Sequence, residues 1–155
     1  LLEGTKRQAH TKWSLPADSL QLQKADEIIA QLGTGADAVA AAIGLVAAEQ
    51  NFNPFVVDIP FICGDPSLPA TEILRGILPI VDPAVANSNL ANQLSAQSKQ
   101  KPFNAVGLSV AQVFAANGFT NFSAKDLSGA VVQINANAGA AAKTTAAAVV
   151  ETGKR

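Results

Sequence analysis

The sequence predicts an all-α fold, a bundle of about five or six helices around a proline-rich, non-helical spine over residues 53–83. Three observations carry this expectation. Apolar residues recur at helical spacing in several separate stretches, and alternating β-branched runs are too few for a large sheet. Six of the eight prolines (Pro54, Pro60, Pro66, Pro69, Pro79 and Pro83) fall within the spine. Proline lacks the amide donor and biases its predecessor away from the helical well, so no long helix crosses this region. The compact apolar runs between the prolines, Phe55-Val56-Val57, Ile59 to Cys63, Ile73-Leu74 and Ile77 to Val81, are too rich for a solvated linker and are expected to be buried.

In chain order, residues 8–17 read as an extended arm whose Trp13 and Leu15 are able to dock on the body. From Asp18, the series Leu22, Ala25, Ile29 and Leu32 has helical spacing, with acids early as the macrodipole favours. Gly33-Thr34-Gly35 closes that helix. A second helix, from Ala36 to about Gln50, carries Val39, Ile43 and Val46 on one stripe, with alanines that allow close helix approach.

Within the spine, Asp65-Pro66 and Asp82-Pro83 each have an N-cap residue followed by proline at the first helical position. The first pair is expected to open a short helix ending before Pro79. The second is expected to open a longer, polar helix from Pro83 to about Ser98, with Val85, Leu90 and Leu94 as a thin apolar stripe. Residues Phe103 to Asn117 read as the strongest helix, with Val106, Val110, Val113 and Phe114 on its face. Asn117-Gly118-Phe119 matches a glycine C-cap. Ser123 to Asp126 resembles a capping box and predicts a last helix with Leu127, Val131 and Ile134 inward. Beyond Asn135 the chain is low in complexity, and an alanine-rich helix over 136–152 is expected to fray.

At 155 residues the chain suits one domain. Charged residues make up only 15%, against roughly 25% in a typical protein, which leaves a surface of Ser, Thr, Asn, Gln and Ala. The formal net charge of -1 supplies no basic field for nucleic acid or anionic membrane. No uninterrupted apolar run approaches the ~18 residues of a membrane span.

Catalytic chemistry finds few carriers. The one histidine, His10, lies in the arm, a poor place for an imidazole relay. One Cys and one His cannot build a zinc site, and neither a phosphate loop nor a dinucleotide fingerprint occurs. No catalytic, cofactor-binding or metal residue is therefore assigned. Cys63 has no partner for an intramolecular disulfide, and its apolar setting favours burial over pairing between chains. Asp58, Asp65, Glu72 and Asp82 cluster along the spine. A hydrolase could use two facing carboxyls, but helix capping explains Asp65 and Asp82 more simply.

The ends carry most of the cellular inference. Lys6-Arg7 precedes Gln8, and Lys154-Arg155 closes the sequence, so both are read as processing sites at accessible tips. The absence of methionine fits prior removal of a leader. The Lys-Arg-Gln junction resembles small secreted fungal proteins matured by kexin-type proteases. That resemblance implies an extracellular location, a propeptide remnant over 1–7, a single domain over 8–152 and a basic tail over 153–155. Asn121-Phe122-Ser123 is an N-glycosylation sequon in an expected loop, in keeping with that route.

The function expected is that of a secreted, non-enzymatic protein associating with a surface, membrane or partner protein: an effector, a toxin or a cell-wall component. A carrier of a lipid or other apolar ligand, with its pocket between the alanine-rich helices and the spine, is the alternative. A hydrolase using the spine carboxylates comes third.

Overall fold

The computed structural model describes residues 16–50 and 52–134. The sites Lys6, Arg7, Lys154 and Arg155, the arm residues His10, Trp13 and Leu15, and the alanine-rich segment 136–152 lie outside them. Among the described residues are four α-helices and a three-stranded mixed sheet, which overturns the all-α expectation.

Helix α1 (Ala17–Leu32) ends at Gly33, whose φ of 82° suits glycine and whose N–H donates to the Ile29 carbonyl. Helix α2 (Ala36–Val46) packs against it. Its buried edge is Ala38, Ala42 and Val46, so small side chains, rather than Val39 and Ile43, make the closest contact. Gln21 on α1 secures the pair: its Nε2 donates to the carbonyls of Leu45 and Ala48, at 2.6 and 3.1 Å, at the C-terminal end of α2, where helical donors run out and Leu45 O otherwise accepts only from the closing turn, Ala48 N–H.

Strand β1 (Phe61–Cys63) runs parallel to β2 (Ser123–Lys125), and β2 runs antiparallel to β3 (Val131–Val132). Ile62 pairs with Ala124, and Ala124 with Val132. The ladder continues past β1 on both sides, with Gly64 N–H donating to Lys125 O and Ser123 N–H to Pro60 O. Strands of two or three residues are too short to show a period of two, and the central one reads Ser-Ala-Lys. The predicted last helix is replaced by this hairpin. Asp126 does not cap a helix; its Oδ1 accepts from the N–H of Ser128 and Ala130 and from the Ser128 hydroxyl, while Gly129 sits at φ 87°.

The two Asp-Pro pairs likewise open turns. Asp65 Oδ1 accepts from Ser67 N–H, and only a single 3-10 turn, Glu72–Leu74, follows before Pro79. Asp82 Oδ1 accepts from Ala84 N–H, and helix α3 (Ser88–Gln100) begins five residues later than expected, after Asn87 at φ 66°. Helix α4 is Val110–Ala116, far shorter than the expected Phe103–Asn117. A true capping box fixes its start: Ser109 Oγ accepts from Gln112 N–H while Gln112 Oε1 accepts from Ser109 N–H. Residues 103–108 are held elsewhere, since Phe103 N–H donates to Gly76 O and the Arg75 guanidinium donates to the carbonyls of Ala105 and Leu108. Gly76 must be glycine: it sits at φ 83°, and a Cβ there would strike the Phe103 backbone. The end of α4 is as expected. Gly118 and Phe119 N–H donate to Ala115 and Phe114 carbonyls, and Phe119 turns inward against Phe114.

The spine is the centre of the core. Pro60, Ile62, Cys63, Leu74, Ile77, Leu78, Pro79 and Val81 are all fully or almost fully buried, alongside Phe114, Phe119 and Val46. A buried segment without regular structure needs partners for its backbone groups. One side of residues 78–81 finds them in α3 side chains three residues apart. Ser98 Oγ accepts from Leu78 N–H, Ser95 Oγ donates to Leu78 O, and Asn92 both accepts from Val81 N–H and donates to Val81 O. The other side pairs with the chain after α2: Ile80 N–H donates to Ala47 O and Gln50 N–H to Ile80 O.

This arrangement predicts where α3 is sensitive. Asn92→Ala strands both a donor and an acceptor of Val81 and is expected to cost about 1–3 kcal/mol, with Ser98→Ala in the same range. Gln93→Ala, on the exposed side of the same helix, is expected to stay within about 0.5 kcal/mol. Urea denaturation of the three variants reads the difference.

Candidate functional site

The strongest departure from the expected burial lies at the start of the spine. Phe55 is 97% exposed and Val56 75%, although both belong to an apolar run expected in the core. The local backbone explains it. Asn53 Oδ1 accepts from Phe55 N–H at 3.0 Å, and Asn53 O accepts from the N–H groups of Val56 and Val57. Pro54 has no donor to satisfy. The turn therefore closes on Asn53 and carries its two apolar side chains outward. Its base is fixed by Phe52, packed on the core, and by buried Pro60.

A second feature is an open apolar groove of about 620 Å³ along α1, walled by Leu20, Ile28, Leu32 and Leu45. An ion pair between Lys24 and Glu27, 2.9 Å apart, borders it. It runs over the outer side of the α1–α2 pair, not between the alanine-rich helices and the spine.

A third is polar and buried. Cys63 is inside, as expected, with its Sγ accepting a 3.0 Å hydrogen bond from the Ser19 hydroxyl. Asp18, one residue earlier on α1, is also buried, and its Oδ2 has no hydrogen-bond partner. Burial pushes the Asp18 carboxyl above its ordinary value; backbone N–H groups and the Lys125 charge act the other way without overcoming it. Burial also pushes the Cys63 thiol up, against the Ser19 hydrogen bond. Lys125 itself lies 3.6 Å above the Phe61 ring. A thiol in this state is a poor nucleophile, so the cluster reads as structural.

The other sites expected from the sequence fall apart from one another. Asp65 and Asp82 are engaged in turns, while Asp58 and Glu72 are exposed. Among the described residues no group of three or more His, Cys, Asp or Glu side chains is placed to hold a metal ion. Asn121 stands in the loop between α4 and β2, half-buried, with its Nδ2 donating to Ala86 O at 2.6 Å. Ser123 of the sequon is already in β2. Among the described residues no helix is long and apolar enough to cross a membrane.

No family model matches the chain, and neither a curated protein nor a solved structure does.

Two outcomes test the buried cluster. Native protein is expected to label at Cys63 slowly with a thiol reagent, and rapidly only in denaturant. For Asp18 the folded state holds the proton more tightly than the unfolded chain does. Its contribution is thus most favourable below the ordinary value of 3.8 and is lost as pH rises through the raised folded value. Asp18→Asn is expected to raise the thermal midpoint at pH 7, with the gain shrinking as the pH falls toward 3.8 and below. Thermal melts of both proteins across that range check it.

Proposed function

We propose that the chain is a secreted, non-enzymatic protein that works by association with a surface, membrane or partner. The single observation carrying this reading is the Asn53–Val57 turn, which holds Phe55 and Val56 in water on a fixed base. Exposed single apolar residues are ordinary on proteins. An aromatic and a β-branched side chain at the tip of an internally bonded turn are different, because the backbone keeps them outward and burying them elsewhere brings a gain. The Lys6-Arg7 pair before Gln8, the sequon at Asn121 and the low charge support the secretory part.

A second reading, a carrier of an apolar ligand, is favoured by the groove on α1. Its open form and the ion pair along its border fit a loosely held chain better than an enclosed ligand. Uptake of a fluorescent acyl chain that is lost in Leu32→Glu would favour the carrier.

Retention on octyl-derivatised beads tests the first reading. Phe55→Ser combined with Val56→Ser is expected to lower retention at least tenfold, since burying each side chain is worth roughly 1.5–3 kcal/mol. Folding stability is expected to change by less than about 0.5 kcal/mol, because neither side chain contributes to the core. Equal retention of the variant and the parent would refute the reading.

A further inference from the structure

We infer that the Asn53–Val57 turn is a lipid-insertion element whose target is the interface of an electrically neutral bilayer, an inference that rests on the association reading above. Three observations on the turn point to this partner. The first is hydrogen bonding. Entry into a medium without water penalises every unpaired backbone donor. Here Pro54 has none, and the N–H groups of Phe55, Val56 and Val57 are already bonded to Asn53. The tip thus strands no donor on entry, while the carbonyls of Pro54, Phe55 and Val56, which need partners as much as the donors do, keep it at the interface, where water and headgroups reach them. A protein partner imposes no such requirement, since its own polar groups can complete a donor.

The second observation is side-chain type. Phe55 is 97% exposed and leads the turn, with Val56 beside it. An aromatic ring and a short aliphatic group fit the boundary between headgroups and acyl chains. The third is charge. No lysine or arginine occurs between Lys24 and Arg75, and the charged residues that border the turn along the chain are Glu49 and Asp58, both exposed. Membrane proteins drawn to anionic lipid carry basic clusters next to the inserting group. Carboxylates in that position disfavour such lipid and leave a neutral headgroup, with phosphatidylcholine as the simplest probe; Lys125, beyond the base of the turn, is held over the Phe61 ring as a single charge, not a basic cluster.

Insertion of two side chains gives weak, reversible binding. A single myristoyl chain binds with a constant of about 10⁴ M⁻¹, so a Phe-Val tip is expected to need roughly millimolar lipid. The ordered base of the turn, between Phe52 and Pro60, limits the entropy lost on insertion.

The test uses the full chain with phosphatidylcholine vesicles. Phe55→Trp, in a Trp13→Phe background so that one indole reports, is checked for native far-ultraviolet circular dichroism. Its emission is expected to shift to the blue on adding millimolar vesicles, and brominated acyl chains are expected to quench it. In a sedimentation assay the Phe55→Ser, Val56→Ser protein is expected to partition at least tenfold less than the parent. Replacing a third of the lipid by phosphatidylserine is expected to weaken binding of the parent. An indole that neither shifts nor is quenched overturns the inference, as does binding that rises with the anionic fraction. If the parent ignores vesicles yet still needs Phe55 and Val56 for octyl beads, the lipid target fails while association with another apolar surface or a protein stands. If the double variant matches the parent in both assays, both readings fail.

Discussion

The fold depends on supplying hydrogen-bond partners to a buried stretch of chain that is neither helix nor extended sheet. Residues 77–81 lie at the centre of the core, and proline at 79 keeps them from forming either ladder. Each unpaired backbone group there would cost a sizeable share of a small domain's stability. Helix α3 resolves this with Asn92, Ser95 and Ser98, three polar side chains on the face that another helix would fill with leucine. The segment after α2 supplies the opposite side. The positions of α2 and α3 therefore follow from the spine, and α1 follows through the Gln21 contacts that close the end of α2.

The same requirement explains how the spine divides. Its apolar runs look alike in the sequence, yet Ile77, Leu78, Pro79 and Val81 are buried and Phe55-Val56 is not. Composition does not separate them; the destination of the backbone donors does. Over 78–81 the donors and acceptors of Leu78, Ile80 and Val81 are taken by α3 and by residues 47–50, which draws the run inward. Over 53–57 the donors turn back on Asn53, which needs nothing from the core and leaves the side chains outside.

Much of the helical part was legible. Helical spacing located α1 almost to the residue, and proline excluded long helices from 53–83 as observed. The glycine cap after α4 and the burial of Cys63 were also readable. The small sheet was not, because two- and three-residue strands leave no period and their pairing is decided by residues distant in sequence. Ser123 and Asp126 imitated a helix start and in fact belong to a strand and its turn. The capping box that does begin α4, Ser109 with Gln112, was present in the sequence but masked by the apolar run from Phe103. Of the candidate site, Asn53-Pro54 was the available signal, a turn-forming pair directly before Phe55.

The parallel pairing of β1 with β2 joins two segments that lie far apart along the chain, with α3 and α4 between them. Loop closure of that span must precede the contact that rewards it, which raises contact order and slows folding. It also orders events as the chain emerges during synthesis. Helices α1 and α2 have their mutual contacts early, whereas Ile62 waits for Ala124 before its strand is paired. Until then the apolar centre of the molecule is open along one edge, and that interval is when aggregation or chaperone capture competes with folding.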